Sequence, residues 1–202
     1  MKTTTITRLT NLFTPEELDT IKSLYIEASS RSNLSEEEAQ YPYEELGRFH
    51  IEGVFLPEHI QKKLEGLVNL ERPEPLESLE MLNPPLYVEY NAKYGQPNLQ
   101  PHVDGDFTDF IIDFQLESNT AWPLGLNEEV YPLEDNEALL FNPNTNIHWR
   151  PRKDFQPGEY VKMIFFRFFS KTNKSDYSHL PHNPADPMFA SVHKFRDSLP
   201  ND

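Results

Sequence analysis

The chain has 202 residues, 37% of them hydrophobic and 25% charged, with 18 prolines against 7 glycines; this is enough for one domain with a sizeable core, and too apolar for a disordered chain. Its net charge of −15 repels phosphate backbones and anionic lipid, so neither nucleic acid nor a membrane is expected as a partner. There is no cysteine, which excludes disulfides, zinc fingers and thiol catalysis. The opening residues carry no apolar signal core and no run of 18 apolar residues occurs, so a cytoplasmic protein is expected.

The first element in chain order is a helix over "FTPEELDTIKSLYIEA". Thr14 suits the N-cap, Pro15 the first helical position, and Glu16 and Glu17 the positive end of the dipole. Leu18, Ile21, Leu24 and Tyr25 then recur at helical spacing. The acidic segment 29–45, "SSRSNLSEEEAQYPYEE", has no period and reads as a surface loop or lid. A second helix is predicted over "PEHIQKKLEGLVNL", with Ile60, Leu64, Leu67 and Val68 on one face. A Pro/Glu-rich connector, 71–85, follows.

Strand patterns take over from there: "LYVEYN", "FTDFIIDFQLE", "EALLFNP" and "EYVKMIFFRFF" are rich in β-formers and are separated by Asn, Pro, Gly and Asp. Helices first and strands after predict a mainly β, α+β fold. It would be an antiparallel jelly-roll core (about 84–170) with N-terminal helices (about 11–70) on one outer face, and a polar surface tail over 171–202. The whole of 1–202 is expected to be one domain.

The sequence "QPHVDGDF" places His102 and Asp104 two apart at the entrance to the longest predicted β segment. Residues two apart in an extended chain point to one side, so both can face one ion. A polar loop leading into a strand would look the same, so a third ligand has to be found. His148, in "NPNTNIHWRPR", stands where a turn-rich loop leads to a further strand. Two imidazoles and one carboxylate form the two-His-one-carboxylate set that holds non-haem Fe(II) and leaves positions open.

Taken in order, "PHVDG", "FIIDFQL", "LEDNEALLFNPNTNIHW" and "PGEYVKMIFF" resemble the Fe(II)- and 2-oxoglutarate-dependent dioxygenase superfamily, and most closely its prolyl-hydroxylase-like branch. "NLFTPEELDTI" is similar to that family's opening helix, and the resemblance runs from residue 11 to 169. It implies a double-stranded β-helix, cupin-like in outline. It also implies a hydroxylase that uses Fe(II), 2-oxoglutarate and O2 on a small molecule, an amino acid or a protein side chain, releasing succinate and CO2. The cations are where the chain departs from the pattern. The family places Arg or Lys at the start of the final strand, often as G-x-R, to hold the far carboxylate of 2-oxoglutarate. Here Gly158 is followed two on by Tyr160, so Lys162 becomes the expected anchor, with Tyr90 and Gln115 lining the same pocket. Arg150, extended by Pro151 and on the side of His148, is expected to clamp a substrate carboxylate at the metal mouth. Two other classes stay open: a cupin-like metal enzyme without 2-oxoglutarate, and a catalytically silent jelly-roll binding protein.

Overall fold

The computed structural model describes residues 6–31, 48–51, 54–71, 79–94, 97, 99–104 and 108–170. The expected lid over 29–45 falls almost wholly outside them, and the tail 171–202 entirely so. Helix α1 (Pro15–Arg31) begins where the sequence places it. The Thr14 hydroxyl accepts from the Glu17 N–H at 3.3 Å, and the Glu17 carboxylate accepts from the Thr14 N–H at 2.9 Å. This reciprocal box satisfies two donors that the first turn would otherwise leave open. Helix α2 (Glu58–Leu70) buries Ile60, Leu64 and Val68, three of the four residues expected on its apolar face.

The strands form two antiparallel sheets. The larger has the order β1 (Thr7–Leu9), β9 (Glu137–Phe141), β6 (Phe110–Ser118), β11 (Tyr160–Ser170), β4 (Leu86–Asn91) and β2 (Phe49–Ile51), with β3 (Leu79–Met81) paired to the end of β11. The smaller runs β5 (Leu99–His102), β10 (His148–Arg150), β7 (Leu124–Leu126) and β8 (Glu129–Tyr131). Among the described residues no pairing joins the two sheets, so the core consists of two facing sheets rather than a closed barrel. The four predicted β segments are β4, β6, β9 and β11. Most of the others are three-residue strands, too short to show a period in sequence.

Alternation along β11 divides the interior. Ile164, Phe166 and Phe168 join Ile112 and Phe114 of β6 beneath Ile21, Tyr25, Ile60 and Leu64 of the helices. Val161, Met163 and Phe165 face the other way, among Val88, Tyr90, Trp122 and Phe155. This second face looks toward the smaller sheet, whose Leu124 and Leu126 pack on Leu139 and Phe141 of β9. A bulge in β6 leaves Leu116 over between the pairs Lys162–Glu117 and Met163–Gln115. Trp149 is half-buried and lies over Gly125, where an added Cβ would come within 2.1 Å of the indole.

Candidate metal centre

The centre is built where β5 ends and β10 begins. These strands pair with His102 directly opposite His148, and the two rings lie 4.1 Å apart. Asp104 sits just past the end of β5, not within it. Its N–H donates to Pro143 O at 3.0 Å, which ties it to the loop leading into His148. As a result Asp104 Oδ1 lies 3.6 Å from His102 Nε2 and 3.4 Å from His148 Nε2. One ligand atom from each of the three residues falls within 4.8 Å of the others, the only such group found among the described residues.

The imidazoles are oriented by backbone. His102 Nδ1 is 2.7 Å from Gln100 O and His148 Nδ1 is 3.2 Å from Asn146 O. A carbonyl can only accept, so both Nδ1 atoms carry a hydrogen and both Nε2 atoms face Asp104. Burial, then the neighbouring His148 charge, pushes His102 down to about 4, so it is neutral at physiological pH. Burial works against ionisation of Asp104 too, but the hydrogen bond to His148 and the His148, His102 and Arg48 charges outweigh it and hold the carboxyl below its ordinary value. A neutral His102 beside an ionised Asp104 matches the protonation states that a divalent metal needs. The side chains of His102 and Asp104 are 34% and 29% exposed while that of His148 is 10% exposed, so the centre is open on one side.

Asparagines brace this corner. Asn144 Nδ2 donates to Thr108 O at 2.6 Å, Asn146 Nδ2 to Asn142 O at 2.9 Å, and Asn127 Nδ2 to Asn146 Oδ1 at 3.1 Å. The Ile147 N–H in turn donates to Asn127 Oδ1 at 3.1 Å. Asn127, at φ 54°, adopts the left-handed conformation that Asn tolerates better than most residues. The turn-rich "NPNTN" flagged a loop in the sequence, but nothing there indicated that its amides hold His148 in place.

The other expected site residues scatter. Tyr90 is buried on the metal-side face, with its ring 4.6 Å from Trp122 and its hydroxyl accepting from Arg48 Nη1 at 3.3 Å. Gln115 lies under a turn, where its amide donates to Ser118 Oγ and to Leu133 O, each at 3.0 Å. Lys162 is on the helix side of the large sheet. Its ammonium lies 5.6 Å from the Tyr25 ring centre and 3.5 Å from Glu117 Oε1. The expectation that it anchors 2-oxoglutarate does not survive this placement, because the sheet stands between it and the metal centre. Arg150 shares a side with His148 as expected but is not at the mouth. It is 1% exposed, and its guanidinium donates to Trp122 O at 2.8 Å and Asp113 Oδ1 at 3.2 Å while lying 4.8 Å from the Trp122 ring centre. A group so fully engaged inside the fold is not available as a clamp at the opening.

Sequence reasoning missed Arg48, immediately before β2 on the larger sheet. It reaches over the Phe165 ring at 6.0 Å and acts electrostatically on His102, Asp104 and Asp113. A lone arginine next to an acidic loop gives no signal in sequence.

No protein-family model and no curated protein matches the sequence. Solved structures do match. One is a prolyl hydroxylase from Trichoplax adhaerens in complex with a hypoxia inducible factor oxygen degradation domain peptide fragment (TM-score 0.58, 13% identity, 84% of this chain and 86% of that one). Another is the viral collagen prolyl hydroxylase of Paramecium Bursaria Chlorella virus-1 in its 2OG complex (TM-score 0.55, 11% identity, 82% and 96%). A third is a prolyl-4-hydroxylase of Pseudomonas putida (TM-score 0.54, 10% identity, 84% and 94%). At these identities the likeness is one of fold: the chain is folded like the prolyl hydroxylases of the 2-oxoglutarate and Fe(II) oxygenase superfamily.

Proposed function

We propose that the chain is an Fe(II)- and 2-oxoglutarate-dependent oxygenase, built on a distorted double-stranded β-helix, that hydroxylates an unactivated C–H bond. The observation that carries this reading is the convergence of His102 Nε2, His148 Nε2 and Asp104 Oδ1, with both Nδ1 atoms tied back to carbonyls. The donor set suits Fe(II): two imidazoles and one carboxylate, open on one side. When bound, the iron with 2-oxoglutarate and dioxygen supplies the oxidising chemistry and releases succinate and CO2. The protein's own part is geometric. β5 and β10 set the distance between the imidazoles, the Asp104–Pro143 bond sets the carboxylate, and the apolar wall of Val88, Val161, Met163 and Phe165 keeps water from the interior.

A protein side chain is among the substrates this reading allows, since one structural neighbour is held with a peptide fragment; an amino acid or other small molecule fits the same centre. One observation favours a second reading, a cupin-like metal enzyme without 2-oxoglutarate: of the expected anchors, Lys162 faces away and Arg150 is already paired with Asp113.

Anaerobic Fe(II) titration tests the centre. His102→Ala, Asp104→Ala and His148→Ala should each stay folded and lose more iron affinity than the roughly 10–100-fold that changes behind the ligands cost. A variant that binds iron like the wild type removes that residue from the set. Succinate formation coupled to a gain of one oxygen, in a substrate-pool screen by mass spectrometry, separates the two readings.

A further inference from the structure

The ion pair between Arg150 of β10 and Asp113 of β6 runs from the smaller sheet to the larger. Its side chains are 1% and 8% exposed, and replacing a pair buried like this by apolar groups is often neutral or stabilising. Stability alone therefore does not account for it. Apolar contacts between the sheets, such as Leu124 and Leu126 on Leu139 and Phe141, are non-directional, so they set the spacing of the sheets more than their alignment. A guanidinium–carboxylate bond has a direction.

β10 needs that direction. Its pairing with β5 is irregular at the residue that matters: His148 lies opposite His102 but Arg150 lies opposite Leu99, so the register shifts between them. The ladder does not by itself fix how the strand presents His148. His148 and Arg150 are both buried while Trp149 between them is half-buried, so the two side chains share the inward side and what holds one holds the other. Arg150 is held at three points. Nη2 donates to Asp113 Oδ1 at 3.2 Å, Nη1 donates to Trp122 O at 2.8 Å, and the guanidinium lies 4.8 Å from the Trp122 ring centre. Trp122 in turn donates from Nε1 to Pro151 O at 2.7 Å and is wedged edge-on between Tyr90 and Phe155.

We propose that Asp113 and Arg150 are positioning residues: their ion pair fixes β10 against the larger sheet and so sets where His148 stands relative to His102 and Asp104. Neither belongs to the ligand set, and both act through His148. That His148 serves a metal rests on the reading above; that the pair places His148 does not.

The test uses the full chain and the double variant Asp113→Leu with Arg150→Met, which removes the pair and fills its space. Urea unfolding places its stability beside that of wild type, and Leu64→Ala on the helix side controls for any loss of stability. Two readouts follow His148. Anaerobic titration with Fe(II) should show binding about 10–100-fold weaker in the double variant, the cost of changing a group behind a ligand, and unchanged in Leu64→Ala. In the metal-free chain, NMR follows solvent exchange of the His148 Nδ1–H, which Asn146 O holds at 3.2 Å. Exchange should be faster in the double variant and not in Leu64→Ala. A double variant that binds Fe(II) like wild type, one in which His148 exchanges like wild type, or a control that changes as much as the double variant overturns the proposal. If the apolar pair does not fold, Asp113→Asn with Arg150→Gln removes both charges while keeping polar groups, and is judged by the same outcomes. If wild type binds no iron, the metal reading falls, and the exchange measurement alone decides whether the pair positions His148.

Discussion

The two faces of the larger sheet are made from the same strands and are different materials. Toward the helices β11 presents Ile164, Phe166 and Phe168 to a continuous apolar core, with Phe13 edge-on to Phe114 at 5.1 Å. Toward the smaller sheet the same strand presents Val161, Met163 and Phe165 to an interior that also holds Arg150, Asp113 and the Arg48 guanidinium. Burying charge is expensive and burying Phe is not. The helix side is therefore the part that stabilises the fold, and the metal side is where the fold accepts destabilising groups. Burial raises the Asp113 carboxyl above its ordinary value even though the Arg150 charge pulls the other way.

The largest expected effect comes from breaking the buried pair. Arg150→Met leaves Asp113 buried alone and should cost about 3–5 kcal/mol. The double variant Arg150→Met with Asp113→Leu should recover most of that, since a well-packed apolar replacement of a buried pair is often neutral. Urea unfolding measures both, and a double variant no better than the single one would show that packing, not charge, dominates this face. Next comes Leu64→Ala on the helix side, which should cost about 2–5 kcal/mol through transfer and cavity terms. Its Fe(II) affinity should match the wild type, and weakened iron binding would mean that the two faces are coupled. The smallest is Lys162→Met. Its half-exposed pair with Glu117 is worth about 1 kcal/mol or less, and neither iron nor 2-oxoglutarate affinity should change. A large rise in the apparent 2-oxoglutarate constant would return Lys162 to the site.

Both helices and the four long strands were legible because each carries a local signal. Thr14 to Glu17 spell a cap, Ile60, Leu64 and Val68 repeat at helical spacing, and β6 and β11 are runs of β-formers. The three-residue strands were not, because their hydrogen-bond partners lie far along the chain. Gly125 gives no hint that Trp149 will lie on it. The grouping of His102, Asp104 and His148 was readable because the likeness to a known pattern covered both its H-x-D half and the distant His148. The asparagine bracing of His148 was not readable, since each amide finds its partner across a loop.

What the sequence by itself determined is which side chains travel together. Strict alternation puts Lys162 with Tyr160, Ile164 and Phe166, and puts Arg167 with Phe165, whatever the fold does next. What it could not determine is which set looks at the candidate metal centre, because both faces of β11 are apolar enough to be buried. Only the docking of α1 and α2 settles that. Tyr25, Ile60 and Leu64 cover the even-numbered side, so Lys162 is carried away from the metal centre and the odd-numbered side is left to face His102, Asp104 and His148. Arg48 reaches that side for the same reason: pairing with β4 fixed its register, and a single arginine has no periodicity from which its direction could have been read.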